Sequence, residues 1–419
     1  MKQLFRISLL LMITLAAILP AYAQQGKEIS VFIDGLSVPF DVKPTIQDGR
    51  TLVPFRALSE ALSVKVTWED STQTIRAVDN QRSISLQISN KLAYRDGNPV
   101  SLDTPPIIIN GRTLVPLRFF SEAFGCQVAW DESTGSIKIT SPPRPMVTVG
   151  FYALGDQQTS SWTNLFGKAY PERGTGNTDV LKTLALGWYS LDQKGNLLTK
   201  SRTGWQRPDD YEQVLEVAGE YGLKTEMVVH LTDGDNVITN LLTNQSAMQK
   251  AVKMISEEAK YYQGVNLNFE GLGWKDSGEE LTRTKENFTN FVNLLSRQLQ
   301  ADHRNLTLTL HAPNSAYRGY DYQRLGEIAD KIIVMAYDYG SKPEPVNLVE
   351  EAVKDAIKVV PPEKLILGIS VPNETPDSLV TKVGIAKRFG LNGIALWRLG
   401  LVSNEMWNSL RMTVRPLQE

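Results

Sequence analysis

The chain is short of the residues on which several common chemistries depend. Of its 419 residues one is cysteine, Cys126. A single thiol closes no internal disulfide and builds no thiolate metal cluster, so stability must come from ordinary hydrophobic cores. Histidine occurs three times, and never before His230. Charge is balanced, with 44 Lys and Arg against 46 Asp and Glu. That excludes the basic excess of a nucleic-acid binder and the acidic block of a disordered tail. Beyond the extreme N-terminus no long apolar run occurs, so no membrane span is expected in the mature chain.

What is present suits a globular protein. Hydrophobic residues make up 42% of the chain and charged ones 21%, enough to bury sizeable cores in two or three domains. Lys2 and Arg6 precede an apolar run over 7–19, and Ala21-Tyr22-Ala23 supplies a small-x-small cleavage site. Residues 1–23 therefore read as a signal peptide, with the mature chain starting at Gln24. The run falls short of the ~20 apolar residues of a spanning helix, and Pro20 interrupts it. The expectation is a secreted protein, extracellular or associated with the cell wall.

The first third is a tandem repeat. GRTLVPFR begins at Gly49 and GRTLVPLR at Gly111, and fifteen of the thirty positions aligned from these points are identical. In each copy a proline (Pro54, Pro116) opens a short helix where its missing N–H costs nothing. A V-x-W strand follows, ending on Trp68 or Trp130, then a polar turn and a closing strand. Both tryptophans are expected in the repeat core, and Cys126, which aligns with Val64, is expected to be a small buried residue. Residues 28–140 resemble the copper amine oxidase N-terminal-like, or stalk, domain of exported bacterial proteins. The name suggests copper, but 1–145 hold no histidine, the usual copper ligand. No metal or cofactor is expected, and the region is read as a structural or wall-associating module.

A proline-rich segment, Ser141-Pro142-Pro143-Arg144-Pro145, reads as a linker. Beyond it, over 146–419, apolar runs alternate with amphipathic helical runs. Strands are expected at 147–153, 183–189, 224–230, 264–270, 306–312, 331–337, 365–369 and 393–397. Helices are expected at 209–221, 246–262, 279–302, 321–329, 348–359 and 377–389. Eight such units fit a (β/α)8 TIM barrel, which takes ~250 residues. The fold class is thus α/β: a TIM barrel preceded by a smaller α+β repeat domain. An open doubly wound sheet is the alternative, and the lack of a glycine-rich phosphate loop after the first strand counts against it.

Catalytic residues of such barrels sit at the C-terminal ends of the strands. The fourth predicted strand ends Asn266-Leu267-Asn268-Phe269-Glu270. Side chains alternate along a strand, so the two amides and Glu270 share one face, and in a barrel a polar face points inward. Burial of Glu270 is expected to raise its pKa toward the working range of a general acid. The sixth strand ends Met335-Ala336-Tyr337-Asp338, the eighth on Trp397, the second on Trp188-Tyr189, and the third and fifth on or beside His230 and His311.

This set resembles glycoside hydrolase family 18, the chitinase-like family, whose fourth-strand signature is DGxDxDxE. MAYDYG is similar to its sixth-strand motif and Trp397 to its eighth-strand tryptophan. WYSLDQKGNLL, from Trp188, resembles the spore-germination and cortex-lytic subgroup. The resemblance implies hydrolysis of an N-acetylglucosamine-containing polysaccharide, peptidoglycan or chitin, by substrate-assisted retention, outside the usual two-carboxylate scheme. It implies that Glu270 protonates the leaving oxygen, Asn268 orients the acetamide, Tyr337 hydrogen-bonds the acetamido oxygen and Asp338 organises the floor. Substrate contacts would come from Trp397, Asn266, Met335, Trp188, Tyr189 and His311. The sequence departs from the family where its three aspartates are replaced by Gln263, Asn266 and Asn268. A related family of endo-β-N-acetylglucosaminidases also uses an Asn-x-Glu pair, so two readings stand: a glycosidase, or a glycan-binding wall protein with impaired catalysis.

Overall fold

The computed structural model describes residues 29–152, 159–201 and 204–417. The expected signal peptide and Ala153, the last residue of the first expected strand, lie outside them. The larger unit is a closed barrel of eight parallel strands. They are Arg144–Tyr152, Thr183–Leu191, Lys224–Thr232, Gly264–Glu270, Asn305–His311, Lys331–Met335, Leu365–Ser370 and Gly393–Trp397. Each pairs with the next, and the eighth returns to the first through Val149 opposite Ala395. The sixth strand stops at Met335, so Tyr337 and Asp338 stand on a turn where Asp338 takes φ +65°. The helices around the barrel bury one stripe each. In Val346–Ile357 the buried positions are Val349, Ala352, Val353 and Ala356, spaced three and four apart as a single helix face requires. No helix among the described residues is long and apolar enough to cross a membrane.

The barrel interior divides into two chemistries. On one side Val147, Val149, Phe151, Ala185, Val228, Ile333, Ile366 and Ala395 form an apolar cluster. On the other, strands three to five contribute a hydrogen-bonded polar layer. Asn266 donates to Glu226 (3.2 Å), Thr307 donates to Glu226 (2.7 Å) and Thr309 donates to Asn266 (2.7 Å). All four are buried. Burial raises the Glu226 pKa, with the charge of Lys331 and the two hydrogen bonds opposing. Removing any member would strand a buried polar partner at a cost of about 1–3 kcal/mol.

The N-terminal domain is rich in sheet, with two short helices, Phe55–Ala61 and Leu117–Ala123. Its two repeats meet strand to strand, Arg50–Pro54 against Arg112–Pro116, with Val53 opposite Val115. Leu52 faces Pro116 and Pro54 faces Leu114, so the pairing is symmetric about the two valines. Cys126 is buried as expected, and burial pushes its thiol up to about 12. The two tryptophans are not core residues. Trp68 is 38% and Trp130 50% exposed, because smaller side chains such as Leu58, Ile75 and Ala77 already fill the core.

The two domains share a tight contact at the barrel helix Pro376–Arg388. The buried Asp34 carboxylate accepts from Ser141 N (2.8 Å) and Ser141 Oγ (2.5 Å) and lies 3.6 Å from Lys387 Nζ. Arg388 donates to the carbonyls of Leu36 (3.3 Å) and Ser37 (3.4 Å). A Cβ on Gly35 would lie 2.1 Å from Thr381 Oγ1, and one on Gly384 2.6 Å from the Asp34 carbonyl, so the approach needs glycine on both sides. The proline-rich segment is held here: Lys387 Nζ donates to Ser141 Oγ (2.9 Å) and Pro142 O (3.3 Å).

Candidate active site

The fourth strand does what its alternation predicts. Val265, Leu267 and Phe269 are fully buried against the helices, while Asn266, Asn268 and Glu270 face the interior and rise toward the mouth. The parallel register places His230 beside Asn268 and Thr232 beside Glu270. Glu270 Oε1 accepts from Asn268 Nδ2 at 3.0 Å and lies 3.4 Å from His230 Nε2. Asn268 Oδ1 is buried with no hydrogen-bond partner among the described residues. A buried acceptor in that state is costly unless a ligand donates to it.

The electrostatics of Glu270 overturn the expected direction. Burial does push its pKa up. The His230 hydrogen bond, the charges of His230 and His311 and the Asn268 amide together outweigh burial and hold the carboxyl below its usual range. Burial also lowers the pKa of His311, opposed by the charges of Glu270 and Asp338. The Tyr337 phenol is raised well above its ordinary value by burial and by the charges of Glu270 and Asp338, which keeps it a neutral hydrogen-bond donor. Gly368 leaves room for it: a Cβ there would lie 3.3 Å from Tyr337 Cε1.

Other expected residues are sorted by the tertiary structure. Met335 is buried in register with His311 on the fifth strand. Asp338 is exposed, and its carboxylate accepts from Asn373 Nδ2 at 3.3 Å. Its loop is clamped by Glu344, which accepts from the backbone N–H groups of Asp338 (2.9 Å) and Tyr339 (3.1 Å). Trp397 stands at the mouth against Phe151, ring centroids 5.1 Å apart. Asn266 is not a substrate contact: it is fully buried one layer below Asn268, and Glu226 and Thr309 take its amide. Trp188 and Tyr189 are not site residues either. The strand shifts register between Leu186 and Tyr189, and both rings pack outside the barrel. Trp188 sits edge-on to Tyr152 and Tyr211, and Tyr189 Oη donates to Glu258 at 2.6 Å.

Three aromatic neighbours of the site follow no pattern in the sequence. Trp205 lies 5.4 Å from Trp397, in space left by Gly187, where a Cβ would come within 2.9 Å of its ring. Tyr317 stacks on His311 at 4.0 Å, and Trp274, 57% exposed, lies 6.4 Å from Tyr317. All three sit on loops, where neither alternation nor helical period applies. Trp274 had one signal, its place four residues after Glu270. Aromatic rings therefore occur around the mouth on both sides of the fourth strand. A cavity of about 640 Å³ is lined by Asp192, His230, Thr232 and Asp235 among others. An acid at a barrel mouth, a neutral phenol, an unpaired amide oxygen and aromatic faces are the parts needed to bind a sugar ring and protonate a glycosidic oxygen.

Comparison with known proteins agrees with this geometry. Residues 204–373 match the family model described as Glycosyl hydrolases family 18, and residues 32–139 match the Copper amine oxidase N-terminal domain. The putative sporulation-specific glycosylase YdhD of Bacillus subtilis (strain 168) is 29% identical over 177 residues, 40% of this chain and 38% of that protein. The uncharacterized glycosylase YvbX of the same organism is 25% identical over 151 residues, 33% of this chain and 41% of that protein. The chain thus spans about two fifths of the length of these curated relatives. Among solved structures, the spore cortex-lytic enzyme SleL of Bacillus megaterium QM B1551 superposes with a TM-score of 0.54 at 17% identity, covering 76% of this chain and 80% of that one. The chitinase of Chromobacterium violaceum ATCC 12472 gives 0.52 at 17% identity, covering 64% and 98%. These likenesses establish the TIM-barrel fold. Part of the barrel, residues 204–373, is thus similar to glycosyl hydrolases family 18, and residues 32–139 are similar to the copper amine oxidase N-terminal domain.

Proposed function

We propose that this protein is an exported glycoside hydrolase that cleaves N-acetylglucosamine-containing polysaccharide, peptidoglycan or chitin, by substrate-assisted retention. The observation that carries the reading is Glu270 at the barrel mouth, held by Asn268 and His230. The acetamido carbonyl of the bound sugar attacks C1 while Glu270 protonates the leaving oxygen. Asn268 Oδ1 accepts the acetamide N–H, and Tyr337 donates to the acetamido oxygen. Trp397 lies under the ring. A sugar seated over Glu270 expels water and disfavours its charged form, which favours the protonated acid. Export rests on the signal-like N-terminus, and wall association on the N-terminal domain. The glycosylase names of the two curated relatives support a glycan substrate.

A second reading has one observation in its favour. Among the described residues no carboxylate is hydrogen-bonded to Glu270, and its neighbours hold its pKa down. A barrel in that state binds glycan without turnover. The two are separated by incubating the chain and a Glu270→Gln variant with peptidoglycan and with chitin oligosaccharides, followed by mass spectrometry. New reducing-end fragments that vanish in the variant are expected. No fragments from either polymer, with binding retained, would establish the binding module instead.

A further inference from the structure

The N-terminal domain carries two cavities that copy one another. One, of about 380 Å³, is lined by Arg50, Asp103, Arg118, Glu122 and Trp130. The other, of about 530 Å³, is lined by Arg112, Asp41, Arg56, Glu60 and Trp68. Every residue of one set stands 62 positions from its counterpart in the other. Each groove takes its tryptophan, helix arginine and glutamate from one repeat and its Gly-Arg-Thr corner from the other, as the symmetric central strand pair dictates. The internal geometry is repeated as well. Arg50 Nε donates to Asp103 at 2.6 Å, and Arg112 Nε donates to Asp41. Trp68 Nε1 donates to Asp70 at 3.2 Å.

These positions have no packing reason to be the same. Half of the aligned positions differ between the repeats. Yet the exposed arginine, glutamate and tryptophan of each groove are identical in both copies, although none of them fills the core. Identity at exposed polar and aromatic positions marks binding rather than folding. The chemistry selects the ligand. An exposed indole offers a flat apolar face to the C–H face of a pyranose. An arginine held by an aspartate, beside a glutamate, offers planar donors and acceptors to neighbouring hydroxyls. Each groove holds two arginines and two acids, so it is charge-balanced and suits a neutral sugar strand over a polyanion.

We infer that the two grooves are a duplicated glycan-binding site that holds the same N-acetylated polysaccharide on which the barrel acts. This rests on the proposed function for the identity of the polymer. Two sites on one rigid domain engage two points of a single strand or bundle, so binding to polymer gains from multivalency while binding to short oligosaccharides does not.

The test uses the full chain in the Glu270→Gln background, sedimented with insoluble peptidoglycan and with chitin. Trp68→Ala or Trp130→Ala alone should weaken retention on the preferred polymer by on the order of 10²-fold, since either one abolishes two-point binding. The double variant should lose more, and Trp→Tyr at both positions should restore part of it. Circular dichroism confirms that the variants fold. In the wild-type background the double variant should lose more rate on insoluble polymer than on short soluble oligosaccharides. Retention that the double Ala variant leaves unchanged overturns the inference, because the barrel cleft then does the holding. A parent chain that sediments with neither polymer overturns it too. Hydrolysis of the short oligosaccharides reports on the barrel separately, so its absence counts against the enzymatic reading without touching the grooves.

Discussion

Two inward-facing glutamates, one on the floor of the barrel and one at its mouth, differ in what surrounds them. Glu226 on the third strand is sealed among Asn266, Thr307 and Thr309, and burial raises its pKa. Glu270 on the neighbouring strand is less buried, meets two histidines and an amide, and its pKa is lowered. Desolvation acts in the same direction on both. The partners decide the outcome: hydroxyl and amide donors on the floor, imidazoles at the mouth. The partners therefore distinguish the carboxyl built into the barrel floor from the one that stands at the mouth.

That separation can be broken at either end. Glu270→Gln should lower hydrolysis by ~10²–10⁴-fold, the usual worth of a general acid, with little change in melting temperature. Glu226→Ala should do the reverse. It strands Asn266 and Thr307 at about 1–3 kcal/mol each, and thermal unfolding will show the loss. Glu226→Gln sharpens the contrast through pH. A carboxyl with a raised folded pKa contributes stability that is present below its unfolded pKa and lost as pH rises through the folded value. Wild-type stability should therefore carry a component that declines on the alkaline side of the ordinary glutamate range, and the Gln variant should lose that component. Glu270, with a lowered pKa, has the opposite sign: its contribution is lost as pH falls.

Smaller effects are expected around Glu270. His230→Gln removes the leading force that lowers its pKa, so burial should prevail and the alkaline limb of the pH–rate profile should move upward. An unmoved profile would show that His230 does not tune Glu270. Asn268→Asp replaces a donor by a like charge, which raises the Glu270 pKa and places negative charge beside the intermediate. Turnover should rise or the optimum shift to higher pH. Wild-type behaviour in that variant would sink the acetamide role of Asn268.

Much of the fold and part of the site are legible in the sequence. The strand–helix alternation, the single polar face of 264–270 and the two GRTLVP repeats are local periodicities, and each appears in the folded chain as expected. The departures lie where periodicity stops. A register shift after Leu186 turns Trp188 and Tyr189 outward. Asn266 shares a face with Glu270 but lies one layer too deep to reach a substrate. Trp68 follows the alternation of Val66, yet it is 38% exposed in the folded chain. Trp205 and Tyr317 reach the mouth on loops, and Glu344 organises the sixth-strand turn from a short proline-flanked segment with no pattern of its own.

By itself the sequence determined the barrel, the duplicated domain and the face on which Glu270 stands, because side-chain period and turn chemistry act between neighbours along the chain. Tertiary structure alone decided that His230 lies against Glu270, that Lys387 meets Asp34 across 353 positions and that each tryptophan groove is shared between two repeats. Those contacts depend on inter-strand register and domain docking, and both are set by packing between segments that are distant in the chain.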